Sequence, residues 1–342
     1  MKKYKYMIAG VAAMCATAFL TSCSDYLDTD KYFKDQQSLE HIFNNKNNTL
    51  EWLALSYSRL QGDNIEIGHS DNNPTNFCDD MTFNEGNNGD RYRKFKLGEY
   101  GDGYSYDTYY KNSWPWSYVA IRQASVFIHN AHANDELTQD EIDVLIGEAH
   151  FLRGYFYWLL IRKYGPVPIM PDEGADFSES YDNLSYPRNT FDECVDFICK
   201  DMIEAAKRLP DRRDNLNSAR PTKGAALAVR AKVLTYAASP LYNGNTEMAD
   251  FTDKTGRQLI SQQYDERKWA VAAAAGKDFL DYNDQAGVYK IHTVGIRKTA
   301  EDTSYPTTII PPKCEPYSSQ NFPDGWADID PFESYRSVFN GE

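Results

Sequence analysis

Between residues 139 and 163 apolar side chains return every third or fourth position, at Ile142, Leu145, Ile146, Ala149, Leu152, Tyr155, Phe156, Leu159 and Leu160. Such spacing belongs to an α-helix with one buried side, and Gly165-Pro166 stops it. A helix of that length needs other helices to cover it, and five further segments of the same kind stand in the chain. They span about residues 38–60, 114–134, 190–209, 222–238 and 265–281, and no stretch of comparable strength reads as a strand. The segment 38–60 is interrupted by the asparagine-rich run Asn44 to Asn48, where a break is expected. Thr190 and Glu193 form a capping box at the head of 190–209, and Pro210 and Pro240 close two of the helices.

Helix 139–163 with 190–209, and 222–238 with 265–281, have the plan of antiparallel pairs, each a helix, a long polar loop and a return helix. Small residues in PTKGAALAVRAKVLTYAASP let a neighbour approach closely. The pairs resemble tetratricopeptide repeats, although the loops 165–189 and 239–264 are longer than packed helices need. The expected fold class is mainly α, with tetratricopeptide-like helix pairs in a right-handed α-α superhelix and long irregular loops. Residues 61–113 and 284–342 have no helical period. They are too rich in aromatic residues for the composition of disorder, so both are read as irregular structure over the helices.

The first residues decide the compartment. Lys2, Lys3 and Lys5 precede an uncharged apolar run from Tyr6 to Leu20, the layout of a secretory signal peptide. The run is shorter than the ~20 residues that cross a bilayer as a helix. Leu20-Thr21-Ser22-Cys23 resembles a bacterial lipobox, which makes residues 1–22 a lipoprotein signal and 23–342 one mature domain. Acyl chains on Cys23 would tether a soluble body to the lipid bilayer without spanning it.

Of the six cysteines, Cys15 falls in the signal and Cys23 carries the lipid. Cys194 and Cys199 project about 140° apart on one helix, so a bridge between them is disfavoured and buried thiols are expected. Cys78 and Cys314 are permitted to pair outside the cell but nothing indicates it. A formal charge of −14 repels phosphate backbones, so nucleic acid is a poor partner.

The segment from Glu148 to Pro168, EAHFLRGYFYWLLIRKYGPVP, resembles the hallmark of the RagB/SusD family, an "EA+FLRA" helix that ends in a "YG-x-VP" turn. The lipobox, the Tyr57 helix, the Tyr118 to Ala131 helix, the alanine-rich Ala225 to Ala238 helix and the Trp269 helix stand around it in the family's order. The resemblance implies a glycan-binding lipoprotein on the outer face of the outer membrane. It would deliver an oligosaccharide to a SusC-type TonB-dependent transporter, with no catalysis. Family members continue beyond a motif like Tyr335 to Phe339, whereas this chain stops at Glu342, and a truncated product is expected. By position, the resemblance also implies ligand contacts from Asn76, Phe83, Arg91 and Tyr104 before the second helix and from Tyr317 and Trp326 after the last. Trp326, in a polar loop, is the favoured stacking platform, because flat rings suit sugar C–H faces. Trp114 and Trp116 read instead as packing at a helix start, and Trp158 as core.

An enzyme would need a site, and the chain has no G-x-S-x-G, H-E-x-x-H, phosphate loop or Cys-x-x-Cys. Its 50 acids supply many carboxylate pairs, so a surface glycoside hydrolase is the alternative from another class. A peptide- or protein-binding repeat scaffold is the third. No cofactor or metal is expected. His129 and His132 share a predicted helix without a third ligand. Asp324, Asp328 and Asp330, and the loop 71–90, offer oxygen donors for calcium but match no EF-hand, and are read as turns.

Overall fold

The structure is a computed structural model that describes residues 38–60, 113–173, 179–290, 292, 294–295, 329–330 and 338. The chain divides into two compact units, Met1–Tyr282 and Asn283–Glu342. In the first, α1 (Leu39–Phe43) and α2 (Lys46–Tyr57) replace the single helix expected over 38–60. Asn44 closes α1, and the Asn45 side chain accepts from Asn48 N to open α2. Asparagine competes with the helix for backbone partners, so the break falls where the asparagines cluster. Next, α3 (Ser113–Asn130) stops four residues short of the expected end at 134. There Asn134 takes over the backbone. Its side chain accepts from Glu136 N and Leu137 N and donates to the Phe43 carbonyl, which turns the chain toward the next helix.

That helix is α4 (Gln139–Tyr164). Thr138 and Glu141 form a capping box, acids fill the first turn, Arg162 and Lys163 fill the last, and Gly165 leaves at φ 67°. After the short α5 (Tyr181–Leu184) comes α6 (Phe191–Arg208), opened by the expected Thr190–Glu193 box. Then follow α7 (Lys223–Ala238), capped by Thr222, and α8 (Arg267–Ala286). The last helix runs five residues beyond its expected end at 281, and Gly287 at φ 59° follows it.

The helices pack in sequence order, α2 on α3, α3 on α4, α4 on α6 and α6 on α7. Phe43, Leu53, Phe127, Ile142, Leu152, Phe156, Trp158, Ile198, Met202 and Val233 lie buried between them. Each such side chain contributes about 1.5–3 kcal/mol on burial. Contact between α4 and α6 is closest at two glycines. A Cβ on Gly147 would stand 2.8 Å from Arg208 Cβ, and one on Gly154 would stand 3.1 Å from Asp201 Cβ. The α4–α6 pair is therefore antiparallel, as its sequence plan requires. The second expected pair is thinner. Lys223 lies 5.2 Å over the Tyr282 ring and Arg230 bonds Asp278 at 2.7 Å, so α7 and α8 run antiparallel, yet α8 buries only Ala272 and Ala275.

The loop after α4 is pinned rather than loose. Tyr118 Oη donates to the Pro168 carbonyl (2.7 Å), Met170 N donates to Tyr157 Oη (2.9 Å), and Arg188 donates to the Pro166 carbonyl (2.7 Å). In the loop 239–264, Asn243 binds Asp265 through both its amide nitrogen and its oxygen, and Gly244 at φ 78° brings the chain against Tyr264. The second unit contains an antiparallel ladder of Val294–Gly295 with Ile329–Asp330, two residues of strand on each side in a region expected to be irregular. The protein is mainly α, as its periodicity requires.

Between α4 and α6 the Asp201 carboxylate accepts from Arg153 Nε and Nη2 and from His150 Nδ1, all at 2.8 Å. Replacing one partner of a buried pair strands the other charge, at a cost of about 3–5 kcal/mol. Asp201→Asn is expected to lose about 3 kcal/mol in urea unfolding, near the lower end of that range because Asp172 also holds Arg153. A loss under ~1 kcal/mol, of surface-pair size, would refute this.

Candidate functional site

Every residue singled out for ligand binding or lipidation, Cys23, Asn76, Phe83, Arg91, Tyr104, Tyr317 and Trp326, lies outside the described residues. So do Cys78, Cys314, Asp324, Asp328 and the loop 71–90. The described residues do include both helix ends that flank residues 61–112. There the Arg59 guanidinium stacks 3.9 Å over the Trp116 ring, which is 40% exposed. Trp116 is thus not packing, contrary to the sequence reading. Its neighbour Trp114 is, edge-on to Tyr164 at 5.3 Å and tilted on Tyr118. Trp158 is core, as expected. Helical phase separates the first two, since residues two apart point to different sides of a helix.

The polar residues of the EAHFLRG segment face inward. Glu148 is fully buried, and its carboxylate accepts from Tyr57 Oη (2.7 Å), Arg213 Nη2 (2.8 Å) and, more loosely, Arg220 Nη1 (3.3 and 3.4 Å). Burial, and then the charge of Glu148, raise the Tyr57 phenol well above its ordinary range. Arg153 reaches the other way. Besides Asp201 it binds Ser125 Oγ (3.3 Å) and the exposed Asp172 (2.9 Å), and it lies 5.0 Å from the Phe197 ring centre. Each buried acid of this segment's network is held by guanidinium groups. The arrangement ties α2, α3, α4, α6 and two loops together.

His129 and His132 do not form the i, i+3 helical pair expected of them. His132 lies beyond the end of α3, where its ring nitrogens meet the Asn130 carbonyl (2.8 Å) and Asn44 Oδ1 (2.9 Å). Among the described residues no group of three His, Cys, Asp or Glu is placed to hold a metal ion. No described helix is long and apolar enough to cross a membrane. Clefts of about 520, 430 and 230 Å³ open on the first unit, the largest beside Trp52, Asn48, Glu51 and Leu55 on α2.

Comparison with known proteins decides the family. Residues 25–234 match the model SusD-like_3, described as "Starch-binding associating with outer membrane". The chain belongs to the SusD-like family. SusD-like protein P2 of Formosa agariphila is 31% identical over 121 residues, which cover 35% of this chain and 23% of that protein. Among solved structures BT4246 is 26% identical with a TM-score of 0.61, covering 73% of this chain and 42% of that one. A SusD homolog from Bacteroides thetaiotaomicron VPI-5482, 20% identical, shares the fold with a TM-score of 0.50 over 74% of this chain and 43% of its own. The SusD-like chain thus matches less than half the length of each of these relatives. The sequence resemblance to RagB/SusD is borne out by these matches.

Both described cysteines of this SusD-like chain are free. Cys194 Sγ donates to the Val167 carbonyl, and burial pushes its thiol up to about 11, while burial pushes Cys199 up to about 12. At about pH 8 both stay protonated and unreactive, since the thiolate is the nucleophile. Iodoacetamide labelling read by peptide mass spectrometry is expected to modify neither until the protein is unfolded in urea. Native labelling of either at the rate of a free cysteine would contradict that.

Proposed function

We propose that the chain is a cell-surface glycan binder, tethered through acylated Cys23 to the outer membrane and delivering oligosaccharide to a SusC-type TonB-dependent transporter. The single observation that carries this reading is the match of residues 25–234 to a family described as starch-binding and associated with the outer membrane. The lipobox and the uncharged run before it support the tether. Binding would rest on rings and fixed polar groups in the long connections, with Trp326 as stacking platform and Asn76, Phe83, Arg91, Tyr104 and Tyr317 around it. No bond is broken in this mechanism. Nutrient uptake would draw its energy from the transporter.

The test is a chain beginning at Ser24, run through affinity gels of several polysaccharides and assayed for reducing ends. Retardation by at least one polysaccharide without new reducing ends is expected, and Trp326→Ala should weaken it about tenfold, as one lost stacking ring would. New reducing ends abolished by replacing one carboxylate would make the protein a glycoside hydrolase instead. The tether is tested separately. In a bacterial host the mature protein should begin at an acylated Cys23, and Cys23→Ala should move it from the membrane to the soluble fraction. An unmodified residue 23 would refute the anchor.

A further inference from the structure

The smallest of the three clefts, about 230 Å³, lies between α2 and the loop that joins α6 to α7. Leu50, Leu53, Ala54 and Tyr57 form its floor, and Ala219 and Arg220 form its opposite wall. Among the described residues one carboxylate, Glu148, lies within ion-pair distance of two guanidinium groups, Arg213 and Arg220, while Asp214 adds its charge at longer range on the Arg213 side. Arg213 already satisfies Glu148. It binds Glu148 at 2.8 Å and is locked by two bonds of 3.0 Å from its Nε and Nη2 to the Pro221 carbonyl. Tyr57 supplies a further donor at 2.7 Å.

Arg220 is held differently. Only its Nη1 reaches Glu148, at 3.3 and 3.4 Å, the long edge of hydrogen bonding. Its Nε and Nη2 have no partner among the described residues, and the side chain is 37% exposed. A guanidinium offers five donors in a planar fork that fits a carboxylate edge to edge. Arg220 is thus the more weakly engaged of the two guanidinium groups and stands beside an apolar floor. We infer that this cleft is a carboxylate-binding subsite. It takes a small ligand with one carboxylate beside an apolar face, the carboxylate on the free edge of Arg220 and the apolar face on Leu50, Ala54 and the Tyr57 ring.

A sugar acid and an aliphatic acid share this chemistry, and its two sources are separable. The inference does not rest on the proposed function, because it concerns residues remote in sequence from those assigned to the glycan. Ligand-observed NMR on the full chain, with sodium glucuronate, sodium isobutyrate and glucose as probes, tests it. Either carboxylate should bind and glucose should not compete with it. Glucuronate the tighter of the two identifies a sugar acid, and isobutyrate the tighter identifies an aliphatic acid. Arg220→Gln, which leaves Glu148 bonded to Arg213 and Tyr57, should weaken carboxylate binding at least about tenfold, the loss of one charge-assisted pair. Ala54→Phe fills the cleft from an exposed position on its floor, leaves every charge in place, and should do the same if the first variant folds poorly. Failure of both acids to bind the natural chain overturns the inference. So does undiminished binding by Arg220→Gln or, where that variant does not fold, by Ala54→Phe.

Discussion

The architecture turns on the charges that α4 carries into its own core. A helix covered by neighbours on most of its circumference should be apolar nearly all round. This one instead buries Glu148, His150 and Arg153 among Leu152, Phe156 and Trp158. An isolated ion in such a place costs several kcal/mol, and only an opposite charge with matched hydrogen bonds offsets that. Those partners come from Asp201 on α6, from Arg213 and Arg220 in the next loop, and from Tyr57 on α2. The helices can stack only in the register that brings these groups together. Buried apolar area supplies the drive to collapse, and the paired charges make one arrangement of the collapse preferable to its neighbours.

The same network reaches the connections. Arg153 extends from the core to Asp172, Tyr118 and Tyr157 hold the segment after Gly165-Pro166, and Arg188 returns to the end of α4. A long connection therefore starts from rigid ground at the points where it leaves the helices. The proposed binding would depend on this, because a site made by loops discriminates only when its anchors do not move. The α8 end buries less. Its large side chains Trp269, Val271 and Leu280 stay more than two-fifths exposed, and its buried alanines, Ala272 and Ala275, are joined by the ion pairs of Lys268 with Asp192 and Arg230 with Asp278 and by the Lys223–Tyr282 ring contact.

Much of the fold was legible in the chain because its determinants are local. The Thr190–Glu193 box, the asparagine break and the Gly165-Pro166 stop each depend on residues a few positions apart. Where the reading failed, a distant partner had intervened. The expected helix 114–134 ends early because Asn134 binds the Phe43 carbonyl, ninety-one residues away in sequence. Trp116 was misread because residue type does not report which side of a helix meets the Arg59 side chain. Of the candidate glycan contacts, none falls among the described residues, and they stand as proposals from resemblance.

Sequence alone determined the order of helices, their caps and stops, and the family to which the pattern EAHFLRGYFYWLLIRKYGPVP points. Short-range hydrogen bonds and periodicity are written into neighbouring residues, and no fold is needed to read them. Tertiary structure alone decided that the polar members of that pattern lie inside, that Glu148 is shared by two arginines, and that one of these, Arg220, is bonded through a single nitrogen among the described residues. The hydrogen bonds of that network join groups between 48 and 91 residues apart, which meet only after the chain has closed on itself.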